Sequence, residues 1–225
     1  WLAGTPDNGD IGALASSRFF HDTTAMPHLI FLCGHAGTGK TTLARRLVRE
    51  LNDRSEDSYC MLDKDTLYGN FSSAVMGVLT GNPNDRDSPV YLDNLRNPEY
   101  AGLLDTARDN LQLGTHVLVV APLSREIRAH QLIDRDWLRV GPEVQVTVVW
   151  VHLQEAEARR RIEQRGNPND EWKLQHWEQY RTRLFQPDPA EYPELFLFDN
   201  TQDDGTRYRE LLEMLLLVEQ QQRNE

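Results

Sequence analysis

The chain has 225 residues, a formal net charge of -11, 39% apolar residues and two cysteines, a size that suits one α/β domain able to bury a core without disulfide help. The acidic balance argues against a broad nucleic-acid surface, which needs a basic footprint. No apolar run approaches the ~20 residues of a membrane-spanning helix, and two cysteines rule out a disulfide framework.

Residues 1–25 show no clear period and no basic, apolar, cleavable leader. Met26 stands directly before a strand pattern, so 1–25 is expected to be an extension whose role the sequence leaves open, and 26–225 the folded domain. His28–Cys33 is a continuous apolar run ended by glycine, the pattern of a strand buried on both faces. A glycine-rich loop follows, then a helix from Lys40 to Leu51 with Leu43, Leu47, Val48 and Leu51 on one side. Ser58–Leu62 reads as a second strand and Thr66–Leu79 as a mixed helix. The segment Gly81–Pro89 is a loop by composition. Pro98–Leu113 is a helix with proline near its start and Gly114 past its end. Thr115–Val120, Val144–His152 and Leu195–Phe198 complete five strands. A turn and helix are expected over Pro122–Trp137, and further helices over Glu155–Gln164, Trp172–Leu184 and Thr206–Val218. Cys33 and Cys60 fall in apolar runs and are expected as buried free thiols, which suits the reducing cytoplasm.

Alternating strands and helices imply a three-layer α/β/α fold on a mainly parallel five-stranded sheet. Ligands bind beyond the carboxyl ends of such strands. Gly34, Asp63, Ala121 and Asp199 each follow a strand and should gather there.

The loop Gly34-His35-Ala36-Gly37-Thr38-Gly39-Lys40-Thr41 fits G-x-x-x-x-G-K-[ST] in full, between a buried strand and an amphipathic helix. Its glycines let successive backbone N–H groups turn inward around phosphates, and the helix N-terminus adds its positive end. Lys40 is expected at the β- and γ-phosphates, the Thr41 hydroxyl on magnesium and Thr42 near the α-phosphate, with the His35 side chain facing out of the loop. ATP with Mg2+ is the expected ligand. No Asn-Lys-x-Asp guanine-reading motif follows any strand.

The second strand ends in Leu62-Asp63-Lys64-Asp65-Thr66-Leu67. An Asp-x-Asp-Thr-Leu strand end shortly after the phosphate loop resembles the zeta-toxin and polynucleotide-kinase-like group of P-loop kinases. The resemblance implies that Asp65 takes the proton of an acceptor hydroxyl, with Asp63 in a structural or magnesium-water role. The residues alone also allow Asp65 to be a helix cap. In that group a helix after the fourth strand carries arginines into a lid, here about 159–175. Arg161 and Arg165 share one helix face. They either stabilise the transferred phosphoryl group or belong to a solvated face with Glu155, Glu157 and Glu163, the latter being the expectation for Arg159 and Arg160. Many relatives end the third strand with a carboxylate. Here Val119-Val120-Ala121-Pro122-Leu123 has none, so either Asp63 or Asp65 takes over the magnesium water, or metal binding is weaker, or the chain is a catalytically impaired relative.

The resemblance thus implies a kinase that moves the γ-phosphoryl group of ATP to a small-molecule hydroxyl. Tyr68, Asn70, Asp85, Arg86, Asp87, Ser88, Tyr91, Arg96 and Tyr100, then Ser124, Arg125 and Arg128, are available to an acceptor pocket. Trp172, Trp177 and Tyr180 share a helix face and are expected to pack the lid. A polynucleotide 5′-hydroxyl kinase, a zeta-like nucleotide-sugar kinase and a nucleotide-regulated binding module are the alternatives. Nucleic acid is disfavoured by charge, no membrane partner is expected, and the oligomeric state is open.

Overall fold

The computed structural model describes residues 26–201 and 205–223, so the extension expected at 1–25 lies outside the described residues. Strand β1 (His28–Cys33) is buried along its whole length. Leu29, Phe31 and Cys33 pack toward one face of the sheet and Ile30 and Leu32 toward the other, which is how an unbroken apolar run serves a sheet covered on both sides. Four strands join it: β2 (Tyr59–Asp63), β3 (His116–Val120), β4 (Gln145–His152) and β5 (Leu195–Asp199). All pairs are parallel, in the order β2-β3-β1-β4-β5.

The helices are α1 (Lys40–Arg54), α2 (Lys64–Thr80), α3 (Pro89–Tyr91), α4 (Asn97–Gln112), α5 (Ser124–Arg128), α6 (Arg135–Leu138), α7 (Glu155–Arg165), α8 (Glu171–Gln175), α9 (Trp177–Arg181) and α10 (Thr206–Arg223). Leu43, Ala44, Leu47 and Leu51 of α1 and Tyr208, Leu211 and Leu215 of α10 cover one face of the sheet. Leu103, Ala107 and Leu111 of α4, Ile127 of α5 and Leu138 of α6 cover the other. The chain therefore leaves β1 onto one face and its neighbour β3 onto the opposite face. Where adjacent strands part in this way, a crevice opens at their carboxyl ends. No helix among the described residues is long and apolar enough to cross a membrane.

Three helix expectations change. The helix expected from Pro98 extends back to Pro89, because a π-helical turn at Leu92–Arg96 joins α3 to α4. That wider turn absorbs Pro98, whose ring would otherwise clash one turn back. The helix expected over Pro122–Trp137 is α5, a 3-10 turn and α6, separated by left-handed backbone at His130 (φ 52°). The helix expected over Trp172–Leu184 breaks at His176 (φ -120°), whose ring stacks on Trp172 and lies 3.0 Å from the Trp172 carbonyl.

Candidate functional site

The turn from β1 into α1 crosses the crevice. Gly34, Gly37 and Gly39 adopt φ of 141°, 79° and 91°. A Cβ at Gly37 would stand 2.6 Å from the Ala158 carbonyl oxygen, and one at Gly34 2.5 Å from that of Val151. Glycine is required there by close approach as well as by handedness. The loop is braced from within by the Thr38 hydroxyl donating to His35 O (3.0 Å), and from outside by Asn200 Nδ2 donating to Thr38 O (2.8 Å). Asn200 escaped the sequence reading; its one signal was its place just past β5, on the carboxyl edge of the sheet.

Lys40 opens α1 and arches back, its Nζ donating to His35 O at 2.6 Å. Burial lowers its pKa to about 8, with the Asp65 carboxylate pulling the other way. His35 does not face outward. Its ring packs edge-on against Trp150 (5.2 Å between centroids), and Nε2 accepts the Phe185 backbone N–H at 2.6 Å. The Phe185 carbonyl oxygen also lies 2.9 Å from Nε2, and burial against this aromatic wall lowers the His35 pKa to about 4. Thr42 is exposed beyond the loop.

The loop is tied to β2 through one carboxylate. Asp63 Oδ2 accepts the Thr41 hydroxyl (2.9 Å), while Oδ1 accepts the backbone N–H groups of Asp65 (2.9 Å) and Thr66 (3.2 Å). Asp63 is thus the N-cap of α2, the role open to Asp65 in the sequence. Asp65 is left with its side chain 85% exposed at the mouth of the crevice, 3.2 Å from Lys64 Nζ. The surrounding protein opposes its ionisation, but Lys64, then Lys40 and Lys173, outweigh that and hold its pKa below the ordinary value. Lys64 in turn is buried between Asp65 and Glu99 (3.0 Å), and Glu99 also accepts the Tyr91 and Ser72 hydroxyls.

Helix α7 crosses the loop, with Ala158 and Ile162 over Gly37. Arg161 Nη1 stands 3.6 Å from the Cβ position of Gly39, and its Nε donates to Glu157 at 2.8 Å. Arg165 Nε donates to Asp170 (2.7 Å), a buried carboxylate. Lys173 links Asp170 (3.3 Å) to Asp87 (3.4 Å), which also accepts Arg183 (3.2 Å). The segment after α7 is therefore pinned across the crevice to the loop after α2. Arg159 and Arg160 pair with Glu163 and Glu157 on the surface, as expected of a solvated face. Trp177 and Tyr180 pack against Ile162 and Ala36, with Trp172 alongside.

Several residues available to an acceptor pocket are committed elsewhere. Arg86 bonds Gly69 O and Ser73 Oγ, Asp85 caps Asp87 and Ser88, and Arg96 pairs with Glu126. Tyr91 and Tyr100 are buried, whereas Asn70, Arg125 and Arg128 remain exposed. Beyond β3, Leu123 is buried in left-handed backbone (φ 48°), an unusual conformation for a non-glycine residue, and Gly34 N donates to Pro122 O at 3.3 Å. Among the described residues no three His, Cys, Asp or Glu side chains form a metal-holding group.

Solved structures share this fold. A sugar kinase from a Janibacter species is 18% identical, with 84% of this chain and 94% of that one covered and a TM-score of 0.54. Kti12 from Chaetomium thermophilum, in complex with ADP-AlF3, is 20% identical over 85% and 98% of the two chains, with a TM-score of 0.57. The APS kinase CysC of Mycobacterium tuberculosis, in complex with AMPPNP and APS, is 17% identical over 85% and 98%, with a TM-score of 0.54. No curated protein matches the chain. At these identities the likeness shows the three-layer fold of P-loop kinases. Residues 29–187 match the family described as AAA domain, and on that match, which spans most of the chain, the protein belongs to the AAA domain family.

Proposed function

We propose that the protein is an ATP-dependent kinase that phosphorylates a hydroxyl group of a small molecule. The observation that carries this reading is the bond from the Thr41 hydroxyl to Asp63, which caps α2 and so sets the exposed Asp65 carboxylate at the same sheet edge as the glycine loop and Lys40. A lysine at the phosphate loop faces a solvent-open carboxylate, the pairing that in-line phosphoryl transfer to a hydroxyl needs. Kinases of sugars and of APS among the structures of like fold support the reaction class.

The residues fit a magnesium-bound nucleoside triphosphate. The loop glycines let the backbone turn where a Cβ would strike Val151, Ala158 or Asn200, and the Thr41 hydroxyl and Asp63 carboxylate offer oxygen donors of the kind magnesium takes. Bound there, ATP with magnesium supplies the γ-phosphoryl group and the charge that offsets its oxygens. The loop amides from His35 to Gly39 would hold the polyphosphate, the Gly34 N–H being bonded to Pro122 O, and Lys40 would swing from the His35 carbonyl toward it. Thr41 and Asp63 are the residues that would hold magnesium, which would offset the phosphate charge. Thr42 approaches the α-phosphate.

Asp65 stays ionised at neutral pH and accepts the proton of the acceptor hydroxyl as the acceptor oxygen bonds to the γ-phosphorus, the bond from that phosphorus to the bridging oxygen breaks and ADP leaves; Asp65 then returns the proton to solvent. The segment 159–175 acts as a lid, in which Arg161 above Gly39 and Arg165 exchange their carboxylate partners for phosphate oxygens. The Asp-x-Asp strand end also suits a zeta-like or polynucleotide kinase, but the charge of -11 favours a small acceptor over a nucleic acid.

A nucleotide-regulated binding module is the second reading, favoured by the absence of a carboxylate in Ala121-Pro122-Leu123. Incubation with γ-labelled ATP and pools of sugars, polyols, nucleosides and amino alcohols separates the two. Label moving to an acceptor supports the kinase; label released only as inorganic phosphate supports the module.

A further inference from the structure

Helix α2 is held on one side only. Ser72 and Met76 are buried, Met76 with Tyr91 and Leu95. The small residues Gly69 and Ser73 take the Arg86 guanidinium, and Gly77 lies against Pro83. On the side away from Asp65, at about 100° per residue, stand Leu67, Phe71, Ala74 and Val78. All four are exposed, Leu67 at 45%, Phe71 at 65% and Val78 at 86%. Their spacing of four, three and four residues is the heptad seam by which two helices pack side by side.

Two observations identify the occupant. No Asp, Glu, Lys, Arg or His lies between Asp65 and Asp85, in a chain of net charge -11. A basic polypeptide would be recognised by carboxylates, which this face lacks, whereas two acidic copies can approach each other there without bringing like charges together. The seam is also self-complementary when reversed. About a two-fold axis between Phe71 and Ala74, Phe71 of one copy faces Ala74 of the other, and Leu67 faces Val78. Large meets small at the centre, as an isologous contact requires.

We infer that α2 is the interface of a homodimer in which the two α2 helices pack antiparallel. The contact lies on the far side of α2 from Asp65, so both crevices stay open, and the inference does not depend on the proposed kinase reaction.

Sedimentation equilibrium of the full chain over a range of micromolar concentrations tests it. The wild type should be a dimer, and Phe71→Glu a monomer with unchanged circular dichroism and unchanged ATP affinity. The chain carrying Leu67→Cys and Val78→Cys should form a covalent dimer with oxidised glutathione, while Leu67→Cys alone should not. A monomeric wild type, or a dimer indifferent to Phe71→Glu, overturns the interface. Cross-linking by Leu67→Cys alone overturns the antiparallel arrangement.

Discussion

The Thr41 hydroxyl donates to Asp63 Oδ2 at 2.9 Å, joining the end of the phosphate loop to the end of β2. The other oxygen of the same carboxylate caps α2, so the helix that carries Asp65 is registered against the loop by a single side chain. Asp63→Asn retains a capping oxygen but cannot accept from Thr41 through an amide nitrogen. It should melt close to the wild type yet lose about tenfold of the gain in ATP affinity that magnesium provides, or about 1.4 kcal/mol. Asp63→Ala should in addition lose about 1 kcal/mol of stability with the cap. Calorimetric titration with and without magnesium reads both, and an undiminished magnesium gain in Asp63→Asn would remove Asp63 from the metal site.

With its helix capped by Asp63, the Asp65 side chain pairs, among the described residues, with Lys64 alone. Asp65→Asn should therefore fold normally and bind ATP within about twofold of the wild type, while transfer falls by roughly 10²–10⁴, the range of a lost general base. Retention of most of the turnover would end its assignment as the base.

Gly37 combines φ of 79° with a Cβ position 2.6 Å from a backbone oxygen of α7. Gly37→Ala must push α7 off the loop or twist the loop itself. We expect ATP binding to fall below detection and stability to drop by about 1–3 kcal/mol. Gly166, also in left-handed backbone but with open space at its Cβ, is the control: Gly166→Ala should cost about 1 kcal/mol at most and leave ATP binding intact.

The fold and the loop were legible because both rest on local signals. An unbroken apolar run specifies a strand covered on two faces, and the glycine-lysine spacing specifies a phosphate loop wherever a strand precedes it and a helix follows. What stayed hidden depends on partners distant in sequence. His35 is drawn inward by Trp150 and the Phe185 amide, both more than a hundred residues away. Asn200 becomes a loop brace only because β5 ends beside the loop. Two carboxylates at a strand end could be counted, but which of them caps α2 is decided by backbone geometry. Pro98 looked like a helix start because no sequence signal announces the π turn that accommodates it.

Arg165 is held by Asp170, Lys173 and Asp87 follow in the same chain of ion pairs, and the guanidinium is half exposed. If that arginine reaches the phosphoryl group during transfer, Arg165→Ala should lower kcat by about 10²-fold or more with little change in the Kd for ATP. A purely structural arginine would show the reverse, a lower Tm with kcat intact. Arg165→Lys should restore only part of the rate, because an ammonium lacks the paired donors of a guanidinium.

At the opposite edge of the sheet, the His28 backbone N–H donates to His116 Nδ1 (2.9 Å), and His28 Nε2 lies 2.8 Å from Thr147 Oγ1. Burial, with a smaller contribution from His116, lowers the His28 pKa from 6.5 to about 3. The unfolded chain therefore takes up a proton below about pH 6.5 that the folded chain refuses until about pH 3, so stability is complete above pH 6.5 and falls as pH falls. The slope is about 1.4 kcal/mol per pH unit, or roughly 2 kcal/mol between pH 6.5 and 5. His35, lowered to about 4 by burial, adds a contribution of the same sign. Urea denaturation at pH 7.5, 6 and 5 should show this decline. His28→Gln, which keeps a donor for Thr147 and cannot be protonated, should remove about half of it; an unchanged slope would mean that His28 is charged in the folded state.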